Sequence, residues 1–277
     1  MTGYGAVAPV VKWAGGKRQL INEISRYVPG HFSTYYEPFL GGGAVWLALL
    51  PPHALVNDIN SELINVYEVI RADLEELILD LKQHKNEADY FYRIRALDRN
   101  QEGYERLSPV QRASRMLYLN KTCYNGLFRV NQAGQFNTPF GYYPNPNIVN
   151  EKTLRAVNRY LNNARITFTC QDFTAALKEA RPGDFVYLDP PYDPISKTAS
   201  FTGYDRGGFD RNQQMRLQET CDKLNEQGIK FLLSNSATDF IRHLYRNYRI
   251  ETVAAKRTVN SRADRRGVIA EVLVMNY

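Results

Sequence analysis

Residues 34–58 constrain the fold more than any other stretch of the chain. Residues 34–39 are β-branched and aromatic, Gly41-Gly42-Gly43 follows, 44–50 is an apolar helix-like stretch, and 54–57 is a short apolar run ending on Asp58. Strand, glycine turn, helix and strand in that order point to a parallel sheet. Glycines at the carboxyl end of a strand let a ligand approach the backbone closely. An acidic residue ending the next strand, here Asp58, can hold ribose hydroxyls. A triple glycine on its own reads more readily as a structural tight turn. Two nucleotide fingerprints do not fit: a dinucleotide loop needs glycine where Trp46 stands, and a Walker A loop ending in Gly16-Lys17 needs glycine at Val11 and Ser or Thr at Arg18.

The middle of the chain has a different texture. Residues 61–70 and 73–85 read as helices, with Leu74, Leu77, Ile78 and Leu81 spaced along one buried face. Residues 90–118 are rich in arginine and tyrosine, and Ser108-Pro109 starts a helix over 109–121. Residues 120–147 carry Gly, Asn, Pro and aromatics with no regular period, which is loop chemistry. We therefore expect 61–163 to be an inserted, mainly helical domain, with 1–60 and 164–277 forming a discontinuous second domain. Strand and helix alternation resumes at 165–169. Residues 185–188 are a buried-strand candidate, 209–228 a helix started by Asp210 and stopped by glycine, and 229–233 the next strand. Strands at 249–255 and 268–277, joined by a basic loop, suggest an antiparallel hairpin closing an otherwise parallel α/β sheet.

Bulk properties exclude some classes. At 277 residues the chain holds one large domain or one with a sizeable insertion. No apolar run reaches membrane-spanning length and the N-terminus lacks a secretion signal, so no membrane partner and a cytoplasmic location are expected. Cys123, Cys170 and Cys221 are odd in number and far apart, and the four histidines are scattered; neither a disulfide framework nor a metal site is expected. The net charge of +6 permits a polyanionic partner without requiring one.

Two further clusters carry chemistry. Asp189-Pro190-Pro191-Tyr192 directly follows the apolar run 185–188. A carboxylate at a strand end, two prolines that fix the backbone and cannot donate, and an aromatic together suit gripping and stacking on a flat amino group. Taken alone it is as readily a rigid turn. Lys12-Trp13-Ala14-Gly15-Gly16-Lys17 could line a pocket or meet phosphates, and by itself reads as a surface turn with solvated lysines.

In this order (Lys12 to Lys17, Glu37-Pro38-Phe39-Leu40-Gly41-Gly42-Gly43, then Asp189 to Tyr192) the three motifs make the chain resemble the Dam-type adenine-specific DNA methyltransferases of the D12 class, alpha group. The resemblance runs from Lys12 to about Tyr277. It implies a Rossmann-like sheet with an antiparallel last strand, S-adenosylmethionine as cofactor, and a target-recognition region between the last two motifs. By the same resemblance Trp13, Lys17 and the loop bearing Glu37, Phe39, Gly41 and Gly43 should line the cofactor pocket. Asp58 should hold the ribose, and Asp172 and Phe173 should border the cofactor's adenine. Asp189, Pro190 and Tyr192 would be catalytic, with Asp189 also at the cofactor.

The expected chemistry is direct methyl transfer to the N6 amino group of an adenine flipped out of double-stranded DNA, without a cysteine nucleophile. Asp189 and the Pro190 carbonyl would accept hydrogen bonds from the two amino protons. In the recognition stretch Tyr124 is the candidate wedge, with Asn125 beside it. Arg129 and Lys12 are candidate guanine readers, Leu127 and Pro139 candidate thymine-methyl contacts, and Tyr143 a further DNA contact. These matches favour GATC. Phe140-Gly141-Tyr142-Tyr143 departs from the F-G-R-Y of many members, which loosens the inference of target sequence. The rivals are an N4-cytosine DNA or N6-adenine RNA methyltransferase, and a DNA-binding protein on the same fold without catalysis. Whether a cognate restriction endonuclease acts on the same site, without stable binding, is not written in the chain.

Overall fold

A computed structural model describes residues 7–194, 208–256 and 268–277. Its centre is a seven-stranded sheet in the order β3-β2-β1-β4-β5-β7-β6. The strands are β1 (Tyr35–Glu37), β2 (His53–Asn57), β3 (Arg165–Thr169), β4 (Phe185–Leu188), β5 (Lys230–Ser236), β6 (Arg249–Lys256) and β7 (Val268–Met275). Strands β1 to β5 are parallel, and β7 runs antiparallel between β5 and β6. The expected α/β sheet with an antiparallel last strand is present. Buried on both faces, β4 (Phe-Val-Tyr-Leu) is an unbroken apolar run rather than an alternating one.

The helices are α1 (Ile21–Tyr27), α2 (Ala44–Leu49), α3 (Ser61–Ala72), α4 (Leu74–Leu81), α5 (Ala88–Ala96), α6 (Gln101–Glu105), α7 (Pro109–Thr122), α8 (Glu151–Asn163), α9 (Phe173–Ala176), α10 (Arg211–Glu226) and α11 (Asp239–Leu244). Local chemistry sets several boundaries. Ser108 and Gln111 form a reciprocal capping box at α7, whose first residue is Pro109. Asp210 accepts from the Gln213 N–H to start α10, and Gly228 at φ 70° follows its end. The helix expected over 73–85 ends at Leu81, and the strand expected to end at Leu233 runs on to Ser236.

Helices α3 and α8 belong to the sheet as much as to the segment they bracket. The Tyr67 ring stacks on Phe168 of β3, Tyr160 packs on Trp46, and Arg71 donates to the Ile166 carbonyl. One hydrophobic core runs from Tyr35 and Trp46 through these helices to Phe128 and Phe140. A second, formed by Val186, Leu217, Phe231 and Val274 among others, lies under α10 and α11. No helix among the described residues is long and apolar enough to cross a membrane. The basic segment with Arg257, Arg262, Arg265 and Arg266 lies outside the described residues.

Candidate active site

Strand order reverses direction between β1 and β4: from β1 the chain steps outward to β2 and β3, then returns to β4 on the other side. Ligands of open α/β sheets bind at the carboxyl ends of strands at such a point. Both chemistry-bearing motifs meet there. The glycine loop leaves β1, and Asp189 leaves β4.

The glycine loop is held from three sides. Gly41 (φ 48°) and Gly43 (φ 64°) take left-handed conformations that glycine adopts without strain. Asp58 accepts the Gly41 N–H at 2.8 Å and the Asn60 N–H at 3.0 Å, and the Tyr67 hydroxyl donates to the Gly42 carbonyl at 3.1 Å. Trp13 lies over the loop so closely that a Cβ on Gly41 would stand 2.8 Å from its ring. Phe39 packs against Phe173, with ring centroids 5.2 Å apart. Asp172 caps α9 and forms a two-pronged ion pair with Arg216, which holds its carboxyl low, at about 2.

Around Asp189 four ionisable groups gather where little water reaches. The Lys17 ammonium, only 4% exposed, sits 2.8 Å from the Asp189 carboxylate, which is 20% exposed. Lys17 also lies 4.5 Å from the Tyr192 ring centre, and its ammonium donates to the Gly15 carbonyl. The Tyr192 hydroxyl donates to Glu271 at 2.7 Å. Burial pushes the Asp189 carboxyl up to about 6 against the opposing pull of Lys17. Glu37, 2% exposed, accepts from the Tyr35 hydroxyl at 2.6 Å, and burial raises its carboxyl to about 8. An acceptor carboxylate at the lip of the sheet, with an ammonium and a flat ring beside it, can hold an amino group and an adjacent planar system.

Residues 120–147 are more ordered than their sequence suggests. Antiparallel bridges pair Cys123 with Phe140 and Val130 with Phe136. Tyr124, 52% exposed, stands at the head of a short turn in which Asn125 has φ 57°. The Tyr143 hydroxyl accepts the Asn125 N–H, and the Pro139 carbonyl accepts the Tyr124 N–H. Arg129 donates through Nε to Asn137 at 2.8 Å, Thr138 donates to the Leu127 carbonyl, and Pro139 is exposed. Buried Asn120 brackets Lys12, accepting its N–H at 2.8 Å and donating to its carbonyl at 2.9 Å. Lys12 consequently crosses Gly126, where a Cβ would stand 2.5 Å from the Lys12 side chain. Trp13 stacks on Phe128 at 5.1 Å, so one ring touches both the glycine loop and the segment 120–147.

The family model described as D12 class N6 adenine-specific DNA methyltransferase matches residues 13–259. The chain belongs to this family. It is 41% identical over 271 residues to the Type II methyltransferase M1.LlaDCHI of Lactococcus lactis subsp. cremoris, covering 97% of this chain and 95% of that one. Identity to the Type II methyltransferase M.MjaIII of Methanocaldococcus jannaschii is 39%, over 98% of this chain and 99% of that one. To the DNA adenine methylase of Serratia marcescens it is 34%, over 96% and 97%. The protein is a DNA adenine methyltransferase.

Several groups that build the site at the switch point were not anticipated. Asn57, at the end of β2, donates to the Pro38 and Gln171 carbonyls and accepts from Thr169 and the Gln171 N–H, tying three strand ends together. Glu271 on β7 fixes the Tyr192 hydroxyl from across the sheet. Asp193 is ion-paired with Arg211 and hydrogen-bonded by Thr238. The available signal was a polar residue inside an apolar run, as with Asn57 after Leu55-Val56. Tyr142, noted only as a departure from the family pattern, is 75% exposed with φ 52°.

Proposed function

We propose that the enzyme transfers a methyl group from S-adenosylmethionine to the N6 amino nitrogen of an adenine flipped out of duplex DNA, within GATC. The observation that carries this reading is the meeting of Asp189 and the glycine loop at the switch point, with the Tyr192 ring held beside them. The donor set suits the cofactor: the Asp58 carboxylate stands against the glycine loop at the end of β2, exposed Ile59 beside it offers apolar surface, and the glycine loop keeps backbone close. Trp13, Lys17, Glu37, Phe39, Gly41, Gly43, Asp172 and Phe173 complete that pocket. Bound there, the cofactor supplies an electrophilic sulfonium methyl.

The chain's own groups then have defined tasks. The adenine amino lone pair is delocalised into the ring, so acceptors for both amino protons favour the pyramidal nitrogen that can attack. Asp189, ionised, accepts one contact and the Pro190 carbonyl the other. Tyr192, with its hydroxyl tied down, offers its ring for stacking. Alignment and fixed acceptors, rather than a covalent enzyme intermediate, provide the rate.

The segment 61–163 serves as the target-recognition part. Flipping costs a few kcal/mol, and stacking on Tyr192 returns about 1–3 kcal/mol, so the vacated space in the duplex also needs filling. Exposed Tyr124 stands at a turn tip suited to that task, braced through Asn125, Pro139 and Tyr143. Tyr124→Ala is expected to reduce the flipped population of a 2-aminopurine placed at the target by roughly tenfold. An undiminished fluorescence rise removes the wedge role. Arg129, steadied by Asn137, and Lys12, steadied by Asn120, read guanine edges, with Leu127 and Pro139 at a thymine methyl. Relatives named DNA adenine methylase and Type II methyltransferase support a DNA target, and pairing with a restriction endonuclease of the same specificity is consistent with the latter name. Incubating unmethylated genomic DNA with enzyme and cofactor, then sequencing for methylation, tests base and site together. Equal methylation when either outer base pair is changed rules out GATC.

A further inference from the structure

The loop that carries Asp189 to Tyr192 cannot anchor itself, because Pro190 and Pro191 have no N–H to give. Its anchors come from two side-chain amides that no solvent reaches. Gln214, one turn into α10, donates through Nε2 to the Pro191 carbonyl at 2.8 Å. Its Oε1 accepts from Asn235 Nδ2 at 3.0 Å. Asn235, near the end of β5, accepts the Asp193 N–H at 3.2 Å and the Ser236 N–H at 2.8 Å through its Oδ1. The Ser236 hydroxyl donates to the Asp193 carbonyl at 2.8 Å. Gln214 and Asn235 are both 0% exposed. Each amide has one workable orientation, since turning Gln214 over would set its oxygen against the Pro191 carbonyl and its nitrogen against Asn235 Nδ2. The loop backbone is thus gripped on both sides of Tyr192 by a chain of donors with a fixed direction.

We propose that Gln214 and Asn235 are positioning residues for methyl transfer, their amides locking the backbone at Pro191 and Asp193 so that the Asp189 carboxylate and the Pro190 carbonyl face the target amino group at fixed places. This rests on the reading of Asp189 to Tyr192 as the reacting loop. Neither amide touches substrate; each acts through the loop. With Pro191's carbonyl already engaged, Pro190's is the proline carbonyl left to the reaction. A loop displaced by about 1 Å loses rate by about 10²-fold without losing the pocket walls.

Gln214→Leu keeps the volume and removes the donor. It is expected to lower kcat by roughly 30- to 100-fold while the KM for duplex DNA and the Kd for S-adenosylmethionine stay within about threefold. Gln214→Glu supplies the readout that a packing role would not move. When protonated, the new carboxyl donates to the Pro191 carbonyl and accepts from Asn235 as the amide did. When ionised, it turns an oxygen on that carbonyl. Among the described residues, the charged groups on the elements around the anchor are Asp193, paired with Arg211, Asp210 at the start of α10, Asp189 of the same loop, paired with Lys17, and Glu271 of β7, which accepts from Tyr192. The ratio of variant to parent kcat should therefore fall steadily as pH rises, and recover when pH is lowered again. A folded Gln214→Leu enzyme with kcat within about twofold of the parent overturns the proposal, as does a Gln214→Glu ratio that is flat with pH. The second measurement decides the matter if the leucine variant does not fold. Asp189→Ala, run alongside, separates the two levels: turnover by that variant defeats the reading of the loop itself, whereas an inactive Asp189→Ala with a fully active Gln214→Leu defeats only the anchor.

Discussion

Asp189→Ala is expected to lower turnover on duplex DNA by at least about 10²–10³-fold while DNA binding stays measurable. In the proposed mechanism this carboxylate accepts directly from the target amino group, and no other described acidic side chain ion-pairs with Lys17. Its ionisation should also set the acidic limb of the rate profile. Burial raises it to about 6, the Lys17 ammonium holds it down from a higher value, and Glu271 adds to the rise. The carboxylate must be ionised to accept from the amino group, so kcat/KM should climb as pH rises through about 6. Removing the ammonium with Lys17→Met should move that limb to higher pH, by about 1–3 units. Steady-state kinetics between pH 5 and 9 checks both points. Turnover by Asp189→Ala, or a limb that moves to lower pH in Lys17→Met, would contradict the assignment.

Stability should carry a second pH dependence, set by Glu37. Burial lifts its carboxyl from an ordinary 4.5 to about 8, the Tyr35 hydroxyl opposes the rise, and the charge of Asp189 adds to it. The folded state therefore prefers the protonated form. The resulting stabilisation is complete below about 4.5 and is lost as pH climbs through about 8. Glu37→Gln presents a neutral group of the same shape, and its carbonyl can accept from Tyr35 in the same way. At pH above 8 the variant should be more stable than the parent by an amount on the order of a few kcal/mol, and near pH 5 the two should differ little. Asp189 contributes a change of the same sign in both proteins, so the difference between them isolates Glu37. Urea titrations at the two pH values make the comparison; parallel pH dependences would show that Glu37 is ionised in the folded protein throughout.

The sheet was legible because its strands announce themselves. Residues 185–188 and 54–56 are apolar without interruption, as strands inside a parallel sheet tend to be, and the motifs at their ends are short and local. What could not be read was anything that depends on which strand lies beside which. Glu271 meets Tyr192 only because β7 inserts between β5 and β6. Lys17 meets Asp189 across 172 residues of sequence because both lie at one switch point. Gln214 did leave a trace: it stands three residues before Leu217 and seven before Cys221, on the buried face of α10. A polar residue on an apolar helix face needs a partner indoors. The recognition stretch hid its order for the opposite reason. Its two bridges are isolated pairs, too short for period two to appear, and although Asn125-Gly126 is a turn signal, the left-handed backbone at Tyr142 follows no local pattern in the sequence.

Helices α3 and α8 lead out of β2 and back into β3, two neighbouring parallel strands. Asn158 and Asn162 of α8 take the last carbonyls of α3, at Ile70 and Arg71, so the outgoing and returning chains are stapled together at the sheet. Whatever lies between residues 73 and 150 is thus carried on a closed stem. Loops within that part could change length without altering the span between β2 and β3, provided Asn120 and Phe128 still meet Lys12 and Trp13. With that part as the target reader proposed above, new target sequences and one preserved reaction can evolve in a single gene with little conflict.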